Sequence, residues 1–272
     1  MRVVFDTGPL RNFAEGEFAK SDLTRLPSPS AGVAYSLSTT AMHELIFALD
    51  EERLTWKKWR KLQAELRRLI DRLEPIVGSA RTRKQTRVGD DRDRRFRGLI
   101  FVLLSADTRE MLLAPYDTTD ALGQPNRLQI NPPALRREYD ESCAIYQELI
   151  LKPQTVIHAY ESHSGKRIST DVLTSILAKA SASHGDVEEL DMRAHAALVA
   201  DRTRSATDGF YDPEGVKNKN DAWDSLLLFV LGIAETVLIS SDTKFLRHVH
   251  RTHPAVATRV FDMAELYARL SV

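Results

Sequence analysis

A chain of 272 residues can form one enlarged domain or two small ones, and its 43% hydrophobic and 28% charged content is that of an ordinary soluble globular protein. The single cysteine, Cys143, excludes an intrachain disulfide framework and a Cys-rich zinc site, so a reducing cytoplasm is the expected setting. Net charge is zero, from 38 Lys/Arg against 38 Asp/Glu, yet residues 53–98 carry 16 against 6 and the remainder 22 against 32, a split of +10 and −10.

Read in chain order, Arg2 to Phe5 is a buried strand, followed by a turn and a helix from about Pro9, where the missing N–H of proline is not needed. Val33 to Leu37 suits a short strand, and Ser38, Thr39 or Thr40 can cap the next helix. Trp59, Leu62, Leu66, Leu69, Ile70 and Leu73 recur at helical spacing, which leaves a basic outer side. Arg81 to Gly98 is polar, basic and without hydrophobic period, and reads as a loop. Leu99 to Leu104 fits a strand or a buried helix start. Leu122 to Pro133 is loop-like, whereas Ala134 to Leu151, Ser169 to Ala182 and Val187 to Ala200 look helical. Thr207 to Asn220 reads as loop, Asp221 to about Ile233 as helix, Thr236 to Ser240 as strand and Thr243 to His250 as helix. Arg259 to Phe261 is a last strand before a C-terminal helix. The pattern β-α-β-α at one end and α-β-α-β-α at the other favours a mostly parallel sheet with helices on both faces and a helical insertion. The longest apolar run, Leu226 to Ala234, falls well short of the roughly 18 residues of a membrane span. Asp6 interrupts the first apolar stretch, so neither a membrane anchor nor a secretory signal is expected.

Carboxylates recur where predicted strands end and helices begin. Asp6 closes the first strand, with Thr7 beside it able to brace its carboxylate. Glu44 lies near the start of its helix, where the helix dipole favours a negative charge. Asp221 and Asp224 stand three apart on one helical face, and Asp242 follows the strand Thr236 to Ser240. Each of these can also be a turn or cap residue. In an open parallel sheet, strand carboxyl ends and helix amino ends share one edge, where ligands bind. Acids gathered there repel one another unless a hard cation neutralises them.

The motifs Phe5-Asp6-Thr7, Ser38 through Glu44-Leu45, Asp224-Ser225-Leu226-Leu227 and Ser240-Ser241-Asp242-Thr243-Lys244-Phe245 together resemble the PIN-domain family of metal-dependent nucleases. The resemblance covers about 50 residues at one end and about 60 at the other. It implies a three-layer α/β/α core from residues 1–74 and 201–272, interrupted by a mostly helical insertion at 75–200 with a basic loop at 81–98. Asp6, Glu44, Asp224 and Asp242 would be the ligands of Mg²⁺ or Mn²⁺. Asn220-Asp221-x-Trp223 matches a variant in which Asp221 is the ligand, so both acids are carried forward with Asp224 preferred. Two departures stand out: Lys244 replaces a frequent acidic residue, and the interval from Glu44 to Asp224 is unusually long.

The implied activity is an endoribonuclease, leaving 5′-phosphate ends and serving as a toxin or an RNA-processing factor. RNA is the expected partner and DNA the alternative; an antitoxin or other protein partner and a homodimer are open. Lys57, Lys58, Lys61, Arg68, Arg81, Arg83, Lys84 and Arg87 are the expected contacts to RNA phosphates. Competing readings are a catalytically silent PIN-like module that binds nucleic acid or docks a partner, and a structure-specific DNA nuclease. His248-Val249-His250 with His253 has a spacing zinc could use, but a basic surface is the preferred reading. No nucleophile turn or Gly-rich phosphate loop is present, and Gly8 stands where a haloacid-dehalogenase phosphatase has its second aspartate.

Overall fold

The computed structural model describes residues 1–30, 32–70, 98–119, 125–183, 193–215, 218, 221–232, 235–252 and 254–271. The apolar run after Met1 forms β1 (Arg2–Phe5), and Asp6 ends it by capping α1 (Thr7–Glu15), which starts two residues before Pro9. A 3₁₀ turn (Leu23–Arg25) leads to β2 (Ala34–Leu37), α2 (Thr39–Asp50) and α3 (Trp56–Leu69). Side chains of Ser38 and Thr55 accept N–H groups of Ala41 and Lys58, which fixes where α2 and α3 begin. Residues 98–105 are helical (α4), so the ambiguous apolar run at Leu99 is a helix. It is followed by α5 (Arg109–Leu113) and two antiparallel strands, β3 (Tyr116–Thr119) and β4 (Pro125–Leu128). The expected loop at Leu122 to Pro133 is therefore strand over Pro125–Leu128. Its proline and asparagine argue for a turn, but β3 supplies the backbone partners.

Helix α6 (Pro132–Ser164) runs 33 residues, straight through Pro153, where a helix end had been expected near Leu151. An internal proline costs about 3 kcal/mol, and the flanking Ile150 and Ile157, both buried, offset it by anchoring the two halves. The helices α7 (Thr170–Ser183) and α8 (Arg193–Thr207) follow, then α9 (Asp221–Leu227), which tightens into a 3₁₀ turn (Leu228–Gly232). The chain ends with β5 (Thr236–Ile239), α10 (Thr243–Thr252), α11 (Pro254–Ala257), β6 (Val260–Phe261) and α12 (Met263–Leu270). Among the described residues no helix is long and apolar enough to cross a membrane.

Four parallel strands form the main sheet in the order β2-β1-β5-β6. Successive strand residues point to opposite faces, and the core sorts accordingly. Val3, Phe5, Val237 and Ile239 join one apolar cluster with α1, α2, α3 and α12, whereas Val4, Leu238 and Val260 pack with α8, α10 and the 3₁₀ turn after α9. Helices thus cover both faces of a central parallel sheet. The middle of the chain is built into this core. Leu99, Leu103, Ile130, Leu135 and Tyr139 join the first cluster, and the boundary expected at residue 200 falls inside α8.

Candidate functional site

Register puts Phe5, Leu37, Ile239 and Phe261 in one row across the sheet. Asp6, Ser38, Ser240 and Asp262 come next, at the carboxyl edge, and α1, α2, α10 and α12 start there. From β1 the chain crosses to β2 on one side; from β5 it crosses to β6 on the other. The crevice between the ends of β1 and β5 is therefore the point where strand order reverses, the general ligand position of open α/β sheets.

Asp6 sits on that crevice. Its N–H donates to Ile239 O at 2.8 Å, while its carboxylate accepts the Thr7 N–H at 2.6 Å and the Ser240 hydroxyl at 2.7 Å. Burial raises its pKa, against the two hydrogen bonds, with the charge of Asp242 adding to the rise. A Cβ at position 8 would meet Ser241 Oγ at 2.2 Å, so α1 starts close against the loop after β5 and a larger residue there would require the Ser241 hydroxyl to turn away.

Glu44 enters from α2. The Thr7 hydroxyl donates to Glu44 Oε2, not to Asp6 as the sequence suggested; the Thr7 backbone N–H serves Asp6 instead. The backbone of Thr7 thus serves the cap while its side chain crosses to α2. Burial pushes the Glu44 pKa up to about 6, despite the Thr7 hydroxyl, with Asp6 raising it further and Arg11 and Arg53 drawing it down.

The two candidates on α9 differ. Asp221 Oδ2 is 3.1 Å from the Arg202 guanidinium, which comes from α8, and burial raises the Asp221 pKa against the pull of Arg202. The two form an ion pair on a buried oxygen, which holds Asp221 toward α8. Asp224 is held well above the ordinary carboxylate range by burial first, then by the charges of Asp6, Asp221, Asp242 and Glu44. All its strongest influences push the same way. Next to it, Ser225 is fixed by His195 of α8, whose Nδ1 lies 2.8 Å from Ser225 Oγ and 3.1 Å from Ser225 O. Burial drops the His195 pKa to about 4, so it positions α9 without adding charge near pH 7.

Asp242 is exposed and caps α10, accepting the N–H groups of Lys244 at 2.7 Å and Phe245 at 3.0 Å. It still faces the group electrostatically, since its charge raises Asp6, Asp221 and Asp224. The structure thus gathers Asp6, Glu44, Asp221, Asp224 and Asp242 at one edge. Their approach is one of mutual charge: among the described residues no three His, Cys, Asp or Glu groups stand close enough to hold one ion as they are oriented.

The basic candidates lie elsewhere. Lys58 pairs with Glu15, eight residues along α1 from Thr7 and therefore roughly 12 Å down its axis. Lys61 sits over the Phe13 and Phe18 rings, and Arg68 bonds Glu65 and the carbonyls of Leu23 and Leu26. Of this group on α3, Lys57 alone is fully solvent-facing with no partner among the described residues. Lys58, Lys61 and Arg68 thus each have a local partner on the body of the protein. Arg81, Arg83, Lys84 and Arg87 lie outside the described residues. The His-x-His spacing brings no metal cluster together among the described residues, because His248 approaches Asp201 at 3.3 Å while His250 approaches Val260 O at 2.9 Å; His253 also lies outside the described residues.

Sequence reasoning did not single out Ser240, Arg202, Tyr211 or His195. The first stood inside a recognised motif; the others lie on or beside α8, far in sequence from the motifs they support. Comparison with family models, curated proteins and solved structures finds no match to this chain.

Proposed function

We propose that the chain is a divalent-metal-dependent endoribonuclease on a PIN-like three-layer α/β/α core. The observation that carries this reading is Asp224, half-buried at the start of α9, with desolvation and four further carboxylates raising its pKa. Such a group is expensive in a protein with no compensating cation, and a divalent ion is the economical one. The donors at this edge are carboxylate oxygens, the ligand chemistry of Mg²⁺ or Mn²⁺. Asp6, Glu44, Asp224 and Asp242 would hold the ion, with Asp221 alongside. When bound, the ion supplies Lewis acidity toward water and the phosphodiester.

The protein's own part is positioning. Ser240 and the Thr7 N–H orient Asp6, the Thr7 hydroxyl orients Glu44, and His195 fixes the turn that carries Asp224. The amino ends of α1, α2 and α10 at the same edge favour an approaching phosphate. Arg202 keeps Asp221 turned toward α8.

A second reading is a silent PIN-like module that binds nucleic acid or a protein. It is favoured by the Asp221–Arg202 pair, by Asp242 being engaged as a cap, and by the lack of a three-donor group among the described residues. Labelled RNA and DNA incubated with Mn²⁺ or with EDTA separate the readings. The expected outcome is RNA cleavage with Mn²⁺, none with EDTA, and none from the Asp224→Asn variant. Binding without cleavage would establish the silent module, and cleavage of DNA alone would establish the DNA nuclease.

A further inference from the structure

Of the five acids at the carboxyl edge, Asp221 alone makes an ion pair among the described residues. Its partner Arg202 comes from α8, with the guanidinium 3.1 Å from Asp221 Oδ2. The same guanidinium lies 4.9 Å from the centre of the Tyr211 ring, a side chain that is itself buried. The side chains of the pair are only 27% and 16% exposed, so water screens their contact less than at an open surface. An arginine held by an acid and an aromatic ring is a placed charge, not a passing surface contact.

The order of the acids shows what that charge does. Thr7 ties Asp6 to Glu44, its N–H donating to the first and its hydroxyl to the second. Asp224 and Asp221 stand about one turn apart on α9. Asp224 feels the charge of all four others, whereas the acid acting most on Asp221 is Asp242 and the one acting most on Glu44 is Asp6. Asp224 is therefore central, with Asp6 and Glu44 to one side and Asp221 and Asp242 to the other. In a two-ion centre the ions lie about 3.5–4 Å apart, and each needs anionic oxygens of its own. Asp221 and Asp242 are the acids that the second of them would use. Asp242 is engaged as the cap of α10, and at Asp221 a positive charge already stands against the carboxylate. A further cation there would meet repulsion.

We infer that Arg202 is a built-in substitute for a second metal ion: it withholds Asp221 from the ligand set, so that the edge takes one divalent ion and not two. Arg202 acts through Asp221, as a positioning residue. A guanidinium also brings a positive charge and N–H donors that match phosphate oxygens, which is what a second ion offers a phosphodiester. The inference rests on the metal-dependent reading above and deepens it by setting the ion count of that centre.

Mn²⁺ titrated into the full chain, with free ion followed by its electron paramagnetic resonance signal, counts the ions bound. The wild type should bind one per chain. Arg202→Gln keeps a hydrogen-bond donor for Asp221 and removes the charge. It should bind two ions, close enough to give an exchange-coupled spectrum that a lone ion cannot give. Arg202→Lys keeps the charge and should stay at one. An arginine with a structural role only would change the melting temperature of Arg202→Gln and leave the count at one. The double variant Arg202→Gln with Asp221→Asn removes both charges together, which buried pairs tolerate better than the loss of one partner. It should return the count to one with an affinity close to that of the wild type, and it keeps the test open if the single variant fails to fold. A roughly tenfold or greater loss of affinity in the double variant, the scale of a lost metal-site partner, would make Asp221 a ligand and overturn the inference. Two ions in the wild type, or one in folded Arg202→Gln, would also overturn it while leaving the metal-dependent reading in place. A wild type that binds no Mn²⁺ would overturn both.

Discussion

Two groups of carboxylates in this protein stand in opposite electrostatic states. Between α6 and α8, Arg204 bonds Glu161 at 2.6 Å and also Asp208, which is reached by Arg167 as well. The Arg204 hydrogen bond holds Asp208 below its ordinary range, and the Ile168 N–H with Arg204 does the same for Glu161. At the carboxyl edge of the sheet, burial and neighbouring acids push Asp6, Glu44 and Asp224 the other way. The residue types are the same. The difference is that one group carries hydrogen-bonded countercharge, while at the other Arg202 pairs with Asp221 and Arg11 and Arg53 act on Glu44 without overcoming its burial. Self-neutralised carboxylates are a structural device, whereas under-compensated ones at a strand-order reversal are what the proposed metal site rests on.

The largest expected effect separates the two groups by activity. Asp6→Asn and Asp224→Asn should each lower RNA cleavage on the order of 10²–10³-fold, the scale of losing one preorganised charge at a reacting centre. Asparagine caps a helix as well as aspartate does, so α1 should remain intact and metal-free melting temperatures should hold or rise. Arg204→Met should do the reverse, lowering the melting temperature while leaving turnover unchanged. Equal loss of cleavage in Arg204→Met would erase the distinction.

A smaller effect is read in binding. Mn²⁺ at 100 times its dissociation constant should stabilise the fold by about 2.7 kcal/mol through mass action, seen as a rise in melting temperature. Asp224→Asn should lose most of that rise and Glu161→Gln should keep it. A rise of the same size in both variants would place the ion somewhere other than the carboxyl edge.

Smaller again is the pH dependence without metal. The folded pKa of Glu44, at about 6, lies above its ordinary value of 4.5. The native state therefore binds more protons than the unfolded chain between those values, and stability falls as pH rises through that window. Melting temperature in EDTA should drop from pH 4.5 to above pH 6, and Glu44→Gln should flatten that part of the curve. Asp208 and Glu161 work with the opposite sign, contributing stability above their unfolded pKa values that disappears as pH falls through their lowered folded ones. A curve that rises steadily from pH 4.5 to 6 in the wild type would contradict the sign argued here for Glu44.

Much of the edge was legible because it is local chemistry. Strand β1 is an apolar run closed by Asp6, α2 starts at a serine cap, and Asp221 with Asp224 share a turn at the start of an apolar helix. Long-range partners were not legible. Arg202 reaches Asp221 from α8, a helix whose first half had been assigned to an insertion, and nothing in its own neighbourhood marks it. The local partners of Lys58, Lys61 and Arg68 were not legible either, because composition shows charge and not what the charge meets: Glu15, two aromatic rings and two carbonyls. Strand β4 and the run of α6 through Pro153 were missed for a related reason, since backbone partners and buried flanks override local turn and breaker signals.

The finest test lies one bond away from the carboxylates. Thr7→Val keeps the volume and branching of a buried side chain and removes only the hydroxyl that donates to Glu44. That hydroxyl pulls the Glu44 pKa down against burial, so the metal-free downward step in melting temperature should move to higher pH in the variant. Loss of an outer hydrogen bond of this kind typically lowers metal affinity about 10–100-fold, and titration of Mn²⁺ should show the lower end because Asp6 keeps both its donors, the Thr7 N–H and Ser240. Thr7→Ser should restore affinity and the position of the pH step. If Thr7→Val and Thr7→Ser both bind Mn²⁺ like wild type, Glu44 is held by packing on α2, and the carboxyl edge is less finely arranged than the Arg204 cluster with which it contrasts.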